Sequence, residues 1–230
     1  MKLALVLAGL LVSACAATDA ARPAPLEEPL RVLLLGDSIS IGYTPFVREA
    51  LDGRARVVRP TNEAGRPENC CGTNLGVVEL ERWLALEGGD WDVIHFNFGL
   101  HDLKHVDPAT GANSRDLGHP RQAEPARYGT QLRAIVVRLG ETGARLVFAT
   151  TTPVPPEAPF RTPGDERLYN DIALRVMREQ GVAVDDLFAF VAEHPEPLQR
   201  PDDVHFDAAG SRLLGEQVAR AILEVAGRAP

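Results

Sequence analysis

The stretch Leu33-Leu34-Leu35-Gly36-Asp37-Ser38-Ile39-Ser40-Ile41-Gly42 decides how the chain is read. An apolar run of β type, Val32 to Leu35, meets a glycine, and two residues later a hydroxyl, Ser38. A buried strand that ends in a Gly-x-Ser turn sets a nucleophile at the carboxyl edge of a sheet, where open α/β folds bind ligands. A serine alone is a weak nucleophile and needs a base. Asp202-Asp203-Val204-His205, near the other end of the chain, offers one just before a helix.

Outward from Ser38, strands alternate with helices. The first strand is Arg31 to Leu35. A short helix is expected from about Pro45 to Leu51, since proline suits a first helical turn. Ala55 to Val58 follows as the second strand. Thr61 to Gly76 is a polar loop holding Asn69, Cys70, Cys71, Gly72 and Asn74; a helix then carries Val77, Leu80 and Leu84 at helical spacing. Trp91 to Phe98 reads as the third strand and delivers Asn97, Gly99 and His101 to the edge that holds Ser38. Lys104 to Ala123 has no period and reads as a flap beside the site, since long loops in compact domains are usually functional or disordered.

Tyr128, Leu132, Ile135, Val136 and Leu139 form an amphipathic helical stripe. Leu146 to Thr150 is the fourth strand, and the proline-rich Thr151 to Gly164 a stiff loop at the active edge. Leu168, Ile172 and Val176 mark a further helix, and Val182 to Val184 the fifth strand. Asp207 caps the last helix, whose buried face is Leu214, Val218, Ala221, Ile222 and Val225. The alternation predicts a parallel sheet with helices on both faces.

Four ordered blocks then resemble the SGNH (GDSL-type) hydrolase family: Gly36-Asp37-Ser38-Ile39, Gly72, Gly99-Leu100-His101-Asp102 and Asp202-x-x-His205. Together they span about residues 31 to 225. The resemblance implies a three-layer α/β/α flavodoxin-like fold with a five-stranded parallel sheet in the order 2-1-3-4-5. It implies a serine esterase with Ser38, His205 and Asp202 as its triad. His205 would carry the proton and Asp202 would orient it. Asp203 is the competing acid, which the block position leaves as a solvated loop charge.

The oxyanion donors implied are the Ser38 and Gly72 N–H groups and a side chain from the third block. Gly72 is preferred to Gly76, which more simply opens a helix. The family usually reads Gly-x-Asn-Asp in the third block; here His101 holds the Asn place, with Asn97 as the fallback donor. Asp37 and Asp102 are expected to hold turns. His95 is expected as a satisfied core group, and His105, His119 and His194 as loop residues.

The 230 residues suit one domain and carry a formal net charge of −8 with no basic cluster. Nucleic acid and anionic membrane surfaces are therefore not the expected partners. Met1-Lys2 and the apolar run Leu3 to Val12, too short to span a bilayer, read as a signal peptide over residues 1–14. Val12-Ser13-Ala14-Cys15 resembles a bacterial lipobox. Cys15 would then be the lipidated first residue of a tether over 15–29, ahead of a domain over 30–230. Ala16 after it favours the outer membrane or cell surface; ordinary cleavage and a soluble exported protein is the alternative.

Cys70 and Cys71 are adjacent in what would be an oxidising compartment, as a vicinal disulfide or as two thiols. No His/Cys cluster has zinc-ligand spacing, so neither metal nor cofactor is expected. The substrate is expected to be a small acyl ester, an acetyl group on carbohydrate foremost. A lipase, lysophospholipase or thioesterase of the same family, or a non-catalytic sugar-binding lipoprotein on this scaffold, are the alternatives.

Overall fold

The computed structural model describes residues 28–229. The expected signal peptide, Cys15 and all but the last two residues of the tether lie outside the described residues. The sheet is built on β1 (Leu30–Leu35), whose Val32, Leu33, Leu34 and Leu35 are all sealed from solvent. An unbroken apolar run is what a strand needs when helices cover both faces of its sheet. Truncating one of these leucines to alanine would cost about 2–5 kcal/mol through lost transfer energy and the cavity left behind.

Around β1 lie β2 (Ala55–Val58) on one side and, on the other, β3 (Val93–Phe96), β4 (Arg145–Ala149) and β5 (Ala183–Asp185). The order is β2-β1-β3-β4-β5 and every pairing is parallel, as expected. The order reverses at β1, so the crevice between the carboxyl ends of β1 and β3 is the natural ligand site. Leu35 pairs with Phe96 there, and the chain leaves β1 toward Ser38 and β3 toward His101.

The helices are α1 (Ser38–Ala50), α2 (Thr73–Leu84), α3 (Pro125–Gly140), α4 (Asp165–Gln180), α5 (Leu187–Ala192) and α6 (Ala208–Val225). One layer packs α1 on α6, and the other packs α3 against both α2 and α4. The α1/α6 contact is close enough to require Gly215: a Cβ there would lie 2.6 Å from Phe46 Cβ and 3.0 Å from Tyr43 O. None of the described helices is long and apolar enough to cross a membrane.

Three local readings need correction. The first helix does not wait for Pro45; it starts at Ser38, because Asp37 caps it by accepting from Ile39 N at 2.9 Å, and Pro45 sits inside it. The third strand stops at Phe96, and Asn97 to Leu100 are already in the site turn. Helix α5, capped by Asp186, is additional to the elements read from sequence. The stretch 104–123 is an ordered flap, pinned by short bridges such as His105 to Arg121 and Val106 to Asn113.

Candidate active site

Ser38 is the first residue of α1, held at the end of β1 by its neighbours. Asp37 is buried and capped onto Ile39 N; burial pushes its carboxyl up, while Arg161, His205 and Arg59 pull the other way. Arg59 clamps the turn from beneath, donating to Gly36 O at 3.1 Å, Ser40 Oγ at 3.0 Å and Thr44 Oγ1 at 2.9 Å. Sequence reasoning missed this arginine, which carries no local signal beyond its place after β2.

Ser38 Oγ lies 2.8 Å from His205 Nε2. This contact joins residues from opposite ends of the chain. The other ring nitrogen, Nδ1, lies 2.6 Å from Asp203 Oδ1. The expected acid was Asp202, and the geometry replaces it with Asp203. The reason is local: Asp203 Oδ1 also accepts from His205 N, two residues on, at 3.1 Å. That turn brings the carboxylate to the imidazole edge. Asp203 Oδ2 accepts from Arg200 at 2.7 Å, while Asp202 is exposed and makes no hydrogen bond or ion pair among the described residues. Burial raises the Asp203 pKa, but the His205 and Arg200 hydrogen bonds outweigh it and bring it down to about 2.

The second block comes alongside through Cys70 N, which donates to Gly36 O at 3.1 Å. Cys71 follows with φ 52°, a strained backbone for a side-chain-bearing residue, and its N–H is held by Asn69 Oδ1 at 2.9 Å. Gly72 caps α2, and a Cβ on it would lie 2.9 Å from Asp102 Oδ1 and 2.8 Å from Gln122 Nε2. Gly76 lies inside α2 against Ile135 and Phe98, which separates it from the turn. Ser38 and Gly72 thus both sit where a helix begins, with N–H groups that make no intrahelical bond and a favourable dipole for negative charge. Cys70 and Cys71 are both free thiols; burial pushes Cys70 up to about 12.

In the third block, Gly99 is required by close approach, since a Cβ would lie 2.1 Å from Thr151 Oγ1. His101 follows, half-buried and with no hydrogen-bond partner on its ring among the described residues. Burial, then the positive charges of Lys104, Arg161 and His205, depress its pKa to about 3. It is therefore a neutral imidazole with one N–H to give. The fallback donor Asn97 commits one of its two amide N–H groups to Ala149 O at 2.8 Å, which ties the end of β3 to β4. Asp102 does more than hold its own turn. Its Oδ1 accepts from Thr73 N at 2.8 Å and lies 2.5 Å from Thr73 Oγ1, which fixes the Gly72 segment against the third block.

The remaining histidines take structural places. His95, fully buried, contacts Asp185 at 3.2 Å, and Gln217 donates to the same carboxylate. His105 lies 2.6 Å from His119 O and 3.0 Å from Thr162 Oγ1, which fastens the flap. His119 lies 3.7 Å from Asp116, and His194 Nδ1 lies 2.8 Å from Glu196 O.

The arrangement is similar to known structures across nearly the whole described chain. An acetyl xylan esterase, AlAXEase, superposes with a TM-score of 0.64 at 16% identity, covering 84% of this chain and 100% of that one. A lipase/acylhydrolase from Enterococcus faecalis gives 0.65 at 20% identity, covering 86% and 96%. A catalytic mutant of Axe2, an acetylxylan esterase from Geobacillus stearothermophilus, gives 0.61 at 17% identity, covering 87% and 95%. At such identities the likeness shows the fold. No curated protein matches the chain in sequence. The family model does: residues 34–213 match the GDSL-like Lipase/Acylhydrolase family, from the end of β1 before Ser38 into the first turns of α6 after His205. The chain belongs to this family of ester-hydrolysing enzymes.

Proposed function

We propose that the protein hydrolyses small acyl esters, acetyl groups on carbohydrate foremost, through Ser38, His205 and Asp203. The observation that carries this is the unbroken contact chain from Ser38 Oγ to His205 Nε2 and from His205 Nδ1 to Asp203 Oδ1. With Asp203 ionised, Nδ1 keeps its proton and Nε2 is free to take the Ser38 proton as Oγ attacks the carbonyl. The N–H groups of Ser38 and Gly72 and the neutral His101 meet the oxygen as it gains charge. His205 then returns the proton to the leaving alcohol, leaving an acyl-enzyme. Water repeats the sequence and frees the acid.

The small acyl group is supported by the acetyl xylan esterases among the structural neighbours. A second reading has its own observation. A groove of about 600 Å³, lined by residues such as Val154, Pro155, Phe188, Val191 and Leu198, runs beside the loop that carries His205 and would suit a longer acyl chain. Turnover of 4-nitrophenyl esters from acetate to octanoate separates the two: kcat/KM falling with chain length supports the first, and rising supports the second.

The lipobox-like Val12-Ser13-Ala14-Cys15 supports export and a lipid anchor at Cys15, with the domain held at the outer membrane or cell surface. Membrane contact would be through that anchor alone. Cys15→Ala should release the protein from the membrane fraction or block its maturation. Wild-type protein free of lipid mass at Cys15 would refute the anchor.

A further inference from the structure

Two cations sit beside the oxyanion side of the site with no counter-ion in contact among the described residues. Lys104 and Arg161 are each only 8% exposed. The backbone sets them side by side, since His105 N donates to Phe160 O at 2.8 Å. Both are fastened to the turn that presents His101, Arg161 from the loop before α4. Lys104 N donates to His101 O at 3.2 Å, and Arg161 Nε donates to Leu100 O at 2.9 Å. Both charges are felt by His101, and Arg161 also acts on Asp37 and Asp203.

A buried cation normally has a carboxylate against it or a set of acceptors around it. The Lys104 ammonium has neither among the described residues, yet it is not sealed from solvent. Among the described residues Arg161 donates only to carbonyls, of Leu100 and of Pro159 at 3.5 Å, and forms no ion pair. The nearby carboxylates act on these cations only through space and form no ion pair with either among the described residues: Asp37 accepts from Ile39 N, Asp102 Oδ1 accepts from Thr73 while its Oδ2 is unpartnered, and Asp203 is held by His205 and Arg200.

Burial, with Arg161 close by, lowers the Lys104 pKa, and burial brings Arg161 down to about 10, as befits cations without full compensation. The backbone that positions them is itself strained, with Phe160 at φ 68°. Such strain persists only where the surroundings hold it in place.

We infer that Lys104 and Arg161 form an anion subsite, and that the preferred substrate is an ester carrying a carboxylate close to the scissile bond. This rests on the esterase reading given above and names the substrate class within it. A carboxylate docked there would accept from the guanidinium and the ammonium together, in a site of low dielectric where charge-assisted hydrogen bonds are strong. Its charge would bind the ground state, so the preference should appear mainly in KM.

The test compares pairs of esters that differ in one charge. For the alcohol side, O-acetylated methyl glucuronoside is set against its uronate methyl ester. For the acyl side, 4-nitrophenyl hemisuccinate is set against 4-nitrophenyl methyl succinate. The wild-type enzyme should favour the charged member of at least one pair by about tenfold or more in kcat/KM, and salt should erode the preference. Lys104→Met and Arg161→Met should each reduce that ratio, and Lys104→Arg should restore it. Equal turnover of charged and neutral members by the wild type overturns the subsite without needing any variant to fold. A preference that survives in both methionine variants overturns it as well. Failure to hydrolyse any of the four, or 4-nitrophenyl acetate, overturns instead the esterase reading on which the subsite rests.

Discussion

Replacing Asp203 by asparagine tests which of two adjacent carboxylates serves His205. The two oxygens of Asp203 face different donors: Oδ1 takes His205 Nδ1 at 2.6 Å and His205 N at 3.1 Å, and Oδ2 takes Arg200 at 2.7 Å. An asparagine cannot satisfy both. If its carbonyl faces the imidazole, its NH₂ meets the Arg200 guanidinium; if it flips, the NH₂ meets Nδ1 and drives His205 into the wrong tautomer. Loss of the corresponding carboxylate in serine-hydrolase triads lowers kcat by about 10⁴. Asp203 is partly solvated, with 28% of its side chain exposed, so water can relieve some of the damage. The expected loss is therefore roughly 10³–10⁴, or about 4–5.5 kcal/mol of transition-state stabilisation. Asp202, exposed and without a hydrogen bond or ion pair among the described residues, should tolerate the same change within about twofold. Steady-state kinetics on 4-nitrophenyl acetate at constant pH measure both variants. A large loss in Asp202→Asn with near-normal Asp203→Asn would refute the geometry of the acid–base loop.

Three further outcomes follow from the site. His101→Ala should cost about 10²–10³ in kcat with little change in KM, less than His205→Ala costs, and His101→Asn should recover part of it; a change confined to KM would make His101 a substrate contact. Asp102 should make stability pH-dependent. Burial raises its pKa from 3.8 to about 6, so the folded state loses up to about 3 kcal/mol as pH rises through that window. Asp102→Asn should accordingly flatten the fall in Tm between pH 4 and 7, and an unchanged slope would contradict the assignment. EDTA should leave hydrolysis intact, since the residues that would carry the reaction are Ser38, His205 and Asp203; loss restored by a divalent ion would contradict this.

The sheet was legible because buried parallel strands need apolar runs, and Val32 to Leu35 and Val93 to Phe96 supply them. The start of α1 was harder to see. Pro45 suggested a first turn, but the Asp37 cap acts eight residues earlier and the helix carries the proline inside it. Helix α5 has six residues, too few for a period to show. Ser38 and His205 could be found because each lies in a recognisable local block. Asp202 and Asp203 are the same residue type side by side, and only the turn that binds His205 N tells them apart. Arg59, Lys104 and Arg161 had no local signal at all. They matter because the fold brings them against the blocks, Arg59 onto Gly36 O and Arg161 onto Leu100 O.

The central claim is that Ser38 is an activated nucleophile served by His205. The most direct measurement is intact-mass and peptide analysis after treatment with a fluorophosphonate. The account predicts one label per chain, on Ser38, with labelling slowed severely in His205→Ala and abolished in Ser38→Ala. No label on the wild-type chain, or a label on another residue with hydrolysis surviving in Ser38→Ala, would contradict it.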